Sequence, residues 1–192
     1  MTHQTAGLIE HMSLNMTART ADGLIQMAKS GDLAWEGPHV PYQRGAVWTC
    51  DQQIQLIASA LSGTPIPAII LNRRDWDACG PDDPYYVVID GQQRLRAFAA
   101  WYDGTLAVPA SWWPANWVEQ TRDTDDGPYV TFNDLTVVGR RFFSSRAIIS
   151  VAEASVCGIR AEAEVYLRVN GYGTAQTDED MANAARVAAD PA

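Results

Sequence analysis

Apolar residues recur at helical spacing in two early segments of the chain. Between residues 21 and 29 they fall mainly on one helical face, and Gly31 follows as a stop, which predicts a first helix. A second helix is predicted over 52–62, where apolar residues repeat at intervals of three and four between an Asp51 N-cap and Gly63. Each helix would bury one apolar face.

Strands are predicted where short runs of β-branched and aromatic residues replace the helical spacing. The run 68–71 is short and apolar, and the run 85–89 leads directly into Asp90-Gly91. A helix is predicted over 92–101, so that strand, Asp-Gly turn and helix form one local unit. The other predicted elements are strands over 129–132, 137–143 and 147–151, a helix over about 160–169, and a final helix capped by Thr177.

Length and composition indicate one globular domain. The chain has 192 residues, of which 47% are hydrophobic and 19% charged, enough for one well-buried core but not for two. We expect a weakly ordered segment over 1–18 and a single domain over 19–192. No apolar run approaches the roughly 20 residues that span a bilayer, and Met1 does not begin a signal peptide. A cytoplasmic location without membrane partners is expected.

The cysteines, the histidines and the net charge limit which kinds of functional site are expected. The three cysteines form no CxxC pair, and the three histidines all lie at or before His39, which disfavours a disulfide framework, a zinc site and an HNH-type nuclease. Any metal would therefore use oxygen ligands. The net charge of −9 disfavours nonspecific DNA binding but leaves room for a local arginine-lined groove.

The five residues 90–94, Asp-Gly-Gln-Gln-Arg, form the strongest candidate for chemistry, and we call them the motif turn. When a buried strand leads at once into a helix, the first N–H groups of that helix are unpaired and favour an anion. Gly91 allows close backbone approach, and Arg94 offers a bidentate phosphate contact. Gln92 and Gln93 add amide donors, and Asp90 suits Mg²⁺ binding or deprotonation of a hydroxyl. The simpler alternative makes Asp90 only an N-cap and Arg94 a solvated side chain.

A second Gln-Arg pair precedes the second helix. Gln43 and Arg44 follow an extended segment at Pro41, and Trp48 lies close by in sequence. We call residues 43–48 the Gln-Arg loop. Trp48 could stack on a base or fill the core.

Several ordered motifs resemble one known family, the GmrSD-type N-terminal domain of the ParB/sulfiredoxin-like superfamily. The resemblance covers about residues 20–185 and also includes Asn170, although Tyr172 stands where the family often has glycine. The strings that carry it are Pro41-Tyr42-Gln43-Arg44, Val47-Trp48, Gly63-Thr64-Pro65-Ile66-Pro67, Ile89-Asp90-Gly91-Gln92-Gln93-Arg94-Leu95, and Tyr166-Leu167-Arg168-Val169-Asn170-Gly171-Tyr172-Gly173-Thr174.

The resemblance implies a compact α/β (α+β) fold, ParB/sulfiredoxin-like, with a small mixed sheet and surrounding helices. It implies that the motif turn binds ATP or GTP with Mg²⁺, held by Asp90, and that the domain serves a restriction or phage system acting on DNA. Catalytic roles would fall to Asp90, Arg94 and Arg44. Nucleotide contacts would fall to Gln43, Gly91, Gln92, Gln93, Trp48 and Asn170.

The implied activity is phosphoryl transfer, either by a kinase that phosphorylates a hydroxyl, such as that of a hydroxymethylated DNA base, or by an NTPase. The alternative is a noncatalytic ParB-like module that binds nucleotide or DNA. Direct phosphodiester cleavage ranks last, because neither a histidine cluster nor a multi-carboxylate site is evident. The nucleotide, the phosphate acceptor and the oligomeric state stay open.

Three further clusters have simpler explanations than a site. Arg73, Arg74, Arg140, Arg141 and Arg146 could form a DNA-facing ridge, but arginine pairs usually lie on solvated faces. The segment 109–117, with three tryptophans and two prolines, is predicted as an irregular cover, and its tryptophans could stack on bases or fill a core. The acidic run 123–126 could bind Ca²⁺ or Mg²⁺, but a solvated loop is the simpler interpretation.

Overall fold

The computed structural model describes residues 11–43, 45, 47–75, 83–170 and 186–187. The helices in this part of the chain are α1 (Ala21–Ser30), α2 (Cys50–Ser62), α3 (Gln92–Tyr102), α4 (Val137–Arg146) and α5 (Gly158–Asn170). The strands are β1 (Asn15–Thr20), β2 (Leu33–Ala34), β3 (Ile69–Arg73), β4 (Tyr86–Asp90), β5 (Val108–Pro109), β6 (Arg122–Thr124), β7 (Gly127–Val130) and β8 (Ile148–Ala154). The expected mixed α/β fold is confirmed.

The main sheet is mixed, with strand order β1-β8-β3-β4-β2. β1 pairs with β8 and β3 pairs with β4 antiparallel, whereas β3 with β8 and β2 with β4 are parallel. A second, three-stranded sheet has the order β5-β7-β6. β4 is thus an inner strand, and its end carries the motif turn.

Both faces of β4 are buried. Because side chains alternate along a strand, Val88 packs into a core with α1, α2 and α3, while Val87 and Ile89 pack into a second core with α5. Val87, Val88 and Ile89 are each fully buried. The strand is therefore held on both sides up to the residue that precedes Asp90.

The tryptophan-rich segment covers the larger core. It forms two short 3₁₀ turns, Ala110–Trp112 and Ala115–Trp117, as expected of an irregular cover. Trp113 is buried and stacks on Trp101, with ring centroids 6.0 Å apart. Trp113 is thus a core residue rather than a base-stacking platform.

Two predictions about elements are wrong. The predicted strand 137–143 is helix α4, because Thr136 caps it and the buried residues Gly139 and Phe143 lie one turn apart. Helix α2 begins earlier than predicted, and its N-cap is Thr49 instead of Asp51. Strand β1 includes residues 15–18 of the segment 1–18, whose weak order stays a prediction.

The other predicted elements of the central unit are confirmed. Helices α1, α3 and α5, and strands β3 and β4, lie within two residues of their predicted bounds, and β8 ends three residues later than predicted. The predicted strand 129–132 ends earlier than expected, since β7 stops at Val130 and a 3₁₀ turn follows over Phe132–Asp134. The helix predicted from Thr177 lies outside the described residues. In the part of the chain that is described, no helix combines the length and apolar character needed to cross a membrane.

Candidate functional site

Gly91 is the N-cap of α3 and has a φ of +102°, a backbone conformation that favours glycine. A Cβ placed there would lie 2.7 Å from Ile69 Cγ1 and 3.2 Å from the Arg94 Nε and Nη2 atoms. The helix has no side-chain cap. Its first N–H groups, with the positive end of the helix dipole, therefore face the end of β4 without a capping oxygen.

Arg94 is held across the motif turn instead of extending into solvent. Its Nη2 atom donates to Asp90 Oδ2, and its Nη1 atom donates to the Pro67 carbonyl at 3.3 Å. The side chain of Arg94 is 12% exposed and that of Asp90 is 25% exposed. The simpler alternative made Asp90 the N-cap and Arg94 a solvated side chain. Both parts are wrong, since Gly91 is the N-cap and Arg94 is ion-paired. The buried Arg94 Nε has no hydrogen-bond partner among the described residues.

The two glutamines of the motif turn hold neighbouring backbone. Gln92 is buried and its amide donates to the Trp35 carbonyl at 2.5 Å. Gln93 donates to the Gly45 carbonyl at 2.8 Å and accepts from the backbone N–H groups of Val47 and Trp48 at 3.2 and 3.4 Å. Their side-chain donors are thus engaged with loop carbonyls. Phosphate contact through these two amides stays a prediction.

The Gln-Arg loop lies at the same end of β4 as the motif turn. The Gln43 amide donates to the carbonyls of Val88 and Ile89, the last residues before Asp90. The Gln43 Oε1 atom is buried and has no partner within the described part of the chain. Trp48 is half-buried and packs against the larger core. The structure therefore brings Gln43 and Gly45 to the motif turn, which is about 50 residues away in the chain.

Two predicted site residues are not placed at the motif turn. Arg44 lies outside the described residues, although Gln43 and Gly45 on either side of it are both bonded to the site. Asn170 ends α5, and its amide donates to the Tyr166 carbonyl in the same helix at 3.0 Å. The glycine-containing segment after Asn170 is outside the described range, so its role stays a prediction.

A buried polar cluster next to the site was missed at the level of sequence. Glu162 is fully buried in α5 and accepts hydrogen bonds from Asn72 and Arg74. The Tyr42 hydroxyl also donates to it, at 3.4 Å. Burial raises the pKa of Tyr42 above its ordinary value, and the Glu162 carboxylate raises it further. We call Tyr42, Asn72, Arg74 and Glu162 the buried network.

Arg74 does not belong to a DNA-facing arginine ridge, because its side chain is only 16% exposed and is ion-paired with Glu162 at 2.9 Å. Arg140 donates to the Leu135 carbonyl at 2.6 Å. Arg146 lies 4.3 Å from the Phe142 ring centroid and donates to the Leu61 carbonyl at 3.3 Å. These two guanidinium groups bind the domain's own backbone.

Metal ligands are sparse in the described residues. No group of three or more His, Cys, Asp or Glu side chains clusters there as a protein-built metal site requires. The acidic run 123–126 lies on the exposed hairpin of β6 and β7, where Asp126 accepts a hydrogen bond from the Tyr129 hydroxyl at 2.8 Å. Mg²⁺ at Asp90 would need most of its ligands from a substrate or water, as magnesium sites often have.

The fold and the motif turn define a mixed α/β domain in which a helix without a side-chain cap begins at the end of an inner strand. A family model described as the GmrSD restriction endonuclease, N-terminal domain, matches residues 23–185. The chain belongs to this family. Searches among curated proteins and among solved structures give no significant match.

Proposed function

We propose that this domain binds the phosphates of ATP or GTP at the motif turn and that the bound nucleotide controls its part in a restriction system acting on DNA. The observation that carries the proposal is the bonding of Gln43 and Gly45 to the end of β4 and to the motif turn, beside one uncapped helix terminus. An anion there would meet free N–H groups, a helix dipole and a guanidinium. Family membership supplies the restriction context.

Arg94 provides the specific phosphate contact. Asp90 and the Pro67 carbonyl fix the plane of its guanidinium. The Arg94 Nε atom is buried without an acceptor, so it would donate to a phosphate oxygen only after the groups that cover it move. Gly91 has no side chain at this crowded position, where a Cβ would meet Ile69 and Arg94. Mg²⁺, where the reaction uses it, would be held by Asp90 together with the phosphates and would offset their charge.

Binding is favoured over turnover as the primary function. Asp90 is the carboxylate of the motif turn, and Arg94 occupies one of its oxygens, so proton abstraction by Asp90 requires the ion pair to be shared or opened. Phosphoryl transfer, to water or to a hydroxyl of plain or hydroxymethylated DNA, is the second candidate. It is supported by the position of a guanidinium where charge would develop on a transferred phosphate.

One assay separates these functions. The protein is incubated with γ-labelled ATP or GTP, Mg²⁺, and plain or hydroxymethylated DNA. Label in free phosphate identifies an NTPase, label in DNA identifies a kinase, and saturable binding without release identifies a nucleotide-dependent binding module. Absence of binding to either nucleotide would contradict the proposal.

A further inference from the structure

Glu162 is the centre of a fully paired, buried polar network. It is 0% exposed. One of its oxygens accepts from Asn72 Nδ2 at 2.8 Å and from Arg74 Nε at 2.9 Å, and the other accepts from Arg74 Nη2 at 2.9 Å. Arg74 thus binds the carboxylate with two parallel hydrogen bonds, the geometry that orients both groups most strongly.

The same network reaches the segment that leads into the Gln-Arg loop. Arg74 Nη2 also donates to the His39 carbonyl at 2.9 Å, and the Tyr42 hydroxyl donates to Glu162 Oε2 at 3.4 Å. Tyr42 is 1% exposed, and its ring packs 5.7 Å from that of Tyr166. Both ends of the segment 39–42 are therefore tied to groups that α5 and β3 hold in place.

The network also fixes the start of α5. Asn72 donates to the Val156 carbonyl at 3.0 Å and accepts from the Val156 N–H at 2.8 Å. Val156 lies between β8 and α5. Strand β3, the connection to α5 and the segment before Gln43 thus share one set of hydrogen bonds.

A buried ion pair is a poor means of gaining stability, because desolvation offsets much of the attraction between the charges. An apolar pair of similar size would fill the same space. A bidentate pair does fix the relative position of the chains that carry it. The pair of Arg74 and Glu162 also bonds directly to the His39 carbonyl and the Tyr42 hydroxyl. An apolar pair would lack these two bonds.

We propose that Glu162 is a positioning residue that, through Arg74 and Tyr42, sets the place of the Gln-Arg loop beside the motif turn. The role rests on the proposed nucleotide site, because the loop forms one side of it. Loss of the Glu162 charge weakens the hydrogen bonds that Arg74 and Tyr42 make to it and loosens the segment 39–42. Among the described residues, the loop then keeps its bonds to β4, to Gln93 and to Gln53.

The test begins without nucleotide. Hydrogen exchange is measured for wild type, Glu162→Gln, and the matched control Glu164→Gln, whose carboxylate is exposed on the same helix and pairs with Arg160. We expect Glu162→Gln to exchange about tenfold faster over residues 40–48, with α2 as protected as in wild type. Tyr42→Phe, which keeps the ring and loses one tether, should give a smaller rise in the same peptides.

A double variant, Glu162→Leu with Arg74→Met, separates positioning from simple stability. It should recover the denaturation midpoint lost in Glu162→Gln, yet keep the fast exchange over 40–48 and bind ATP or GTP about tenfold more weakly than wild type. If the double variant restores protection and affinity together, or if Glu162→Gln exchanges like Glu164→Gln, the positioning role is overturned. Fast exchange in a protein whose wild type binds neither nucleotide would support the positioning role and contradict the proposed function alone.

Discussion

Arg94 is held from two sides, by a carboxylate one helical turn earlier in the chain and by the carbonyl of Pro67. This arrangement fixes the plane of the guanidinium as well as its charge. A lysine would keep the charge but could not occupy both contacts and present a further N–H from a planar group. The site therefore presents a guanidinium in a fixed orientation, and its positive charge alone would not be equivalent.

Arg94→Lys is therefore expected to weaken ATP or GTP binding by about an order of magnitude, as measured by isothermal titration calorimetry. If the domain turns nucleotide over, the same substitution should lower kcat by a similar factor with little change in KM, as measured by steady-state assays. Arg96→Lys is the control, because Arg96 lies in the same helix and pairs with Glu36 instead of Asp90. Equal effects of the two substitutions would contradict the assignment.

Asp90→Asn keeps the shape of the side chain but removes the charge that holds Arg94. Because Gly91, not Asp90, caps α3, the fold should survive, at a cost of about 1–3 kcal/mol, since Arg94 loses the charged partner of a largely buried ion pair. Turnover, or Mg²⁺-dependent binding, should be lost. A folded Asp90→Asn protein with wild-type nucleotide behaviour would show that the carboxylate has no part in the chemistry.

Gly91→Ala should destabilise the domain more than Gly63→Ala. Both glycines have positive φ, +102° and +75°, so both substitutions add backbone strain of about 1–3 kcal/mol. A Cβ at residue 63 meets nothing within 4 Å, whereas one at residue 91 meets Ile69 and Arg94. Urea denaturation of the two variants measures the difference, and equal losses would show that the crowding at Gly91 is relieved at no cost.

The sequence predicted the residues of the motif turn but not their bonding. Strand, Asp-Gly and helix follow from local propensity and from the positive φ that glycine allows, so this unit could be located in advance. The loop contacts of Gln92 and Gln93 depend on residues about 45 to 60 positions away. Glu162 resembles any other charge on a helix until the fold brings Arg74 to it, and long-range pairing of that kind leaves no local signal.

At the scale of elements, helix α2 shows how a cap can be misassigned by two residues. Thr49 and Gln52 form a capping box in which each side chain meets the backbone N–H of the other residue. Asp51, the predicted cap, lies in the first turn of the helix. An acidic residue there interacts favourably with the dipole but does not replace the cap.

Thr49→Ala should consequently cost about 1 kcal/mol of unfolding free energy, and Asp51→Ala only a few tenths. Chemical denaturation of both variants gives the comparison. The Gln-Arg loop ends at Trp48, directly before this cap, so fraying of the helix should also loosen the backbone at Trp48. A larger loss of unfolding free energy in Asp51→Ala than in Thr49→Ala would indicate that Asp51, the residue predicted from sequence, is the N-cap.

Helix α4 was predicted as a strand because its apolar residues are not spaced for a helix. Val137 and Val138 are half-exposed or more, and burial falls on Gly139 and Phe143 instead. β-Branched residues favour strands only weakly, and tertiary packing overrides that preference here. Strand β1 was missed since its side chains are exposed or only partly buried, which leaves little alternation to detect.

The 3₁₀ turn Phe132–Asp134 should make stability depend on acid pH. Burial tends to raise the pKa of Asp134, but hydrogen bonds from the Thr131 hydroxyl and N–H and the charge of Arg122 lower it below its ordinary value. Its contribution to stability is thus present above the unfolded-state pKa of about 3.8 and is lost as pH falls through the lower folded-state pKa. Asp134→Asn should flatten this part of the curve of unfolding free energy against pH, whereas Asp125→Asn, an exposed control, should not.

At the scale of the whole molecule, the candidate site lies where two cores meet. Val88 belongs to the core under α1, α2 and α3, and Val87 and Ile89 belong to the core under α5. The Gln-Arg loop joins them, because the Gln43 amide bonds to the end of β4 and Trp48 packs on the larger core. A ligand at the motif turn would contact residues fixed by both cores, and its binding would stabilise the folded domain.

Backbone amide chemical shifts under titration with ATP or GTP and Mg²⁺ test the central claim most directly. We expect the largest shifts on the N–H groups of residues 91–94, which an anion at the uncapped helix terminus would contact. Shifts are also expected on Val47 and Trp48, whose N–H groups donate to Gln93. Arg94→Lys should reduce these shifts at equal nucleotide concentration, and Arg96→Lys should not. No shift at saturating concentrations of either nucleotide, or shifts confined to another surface such as 112–117, would contradict it.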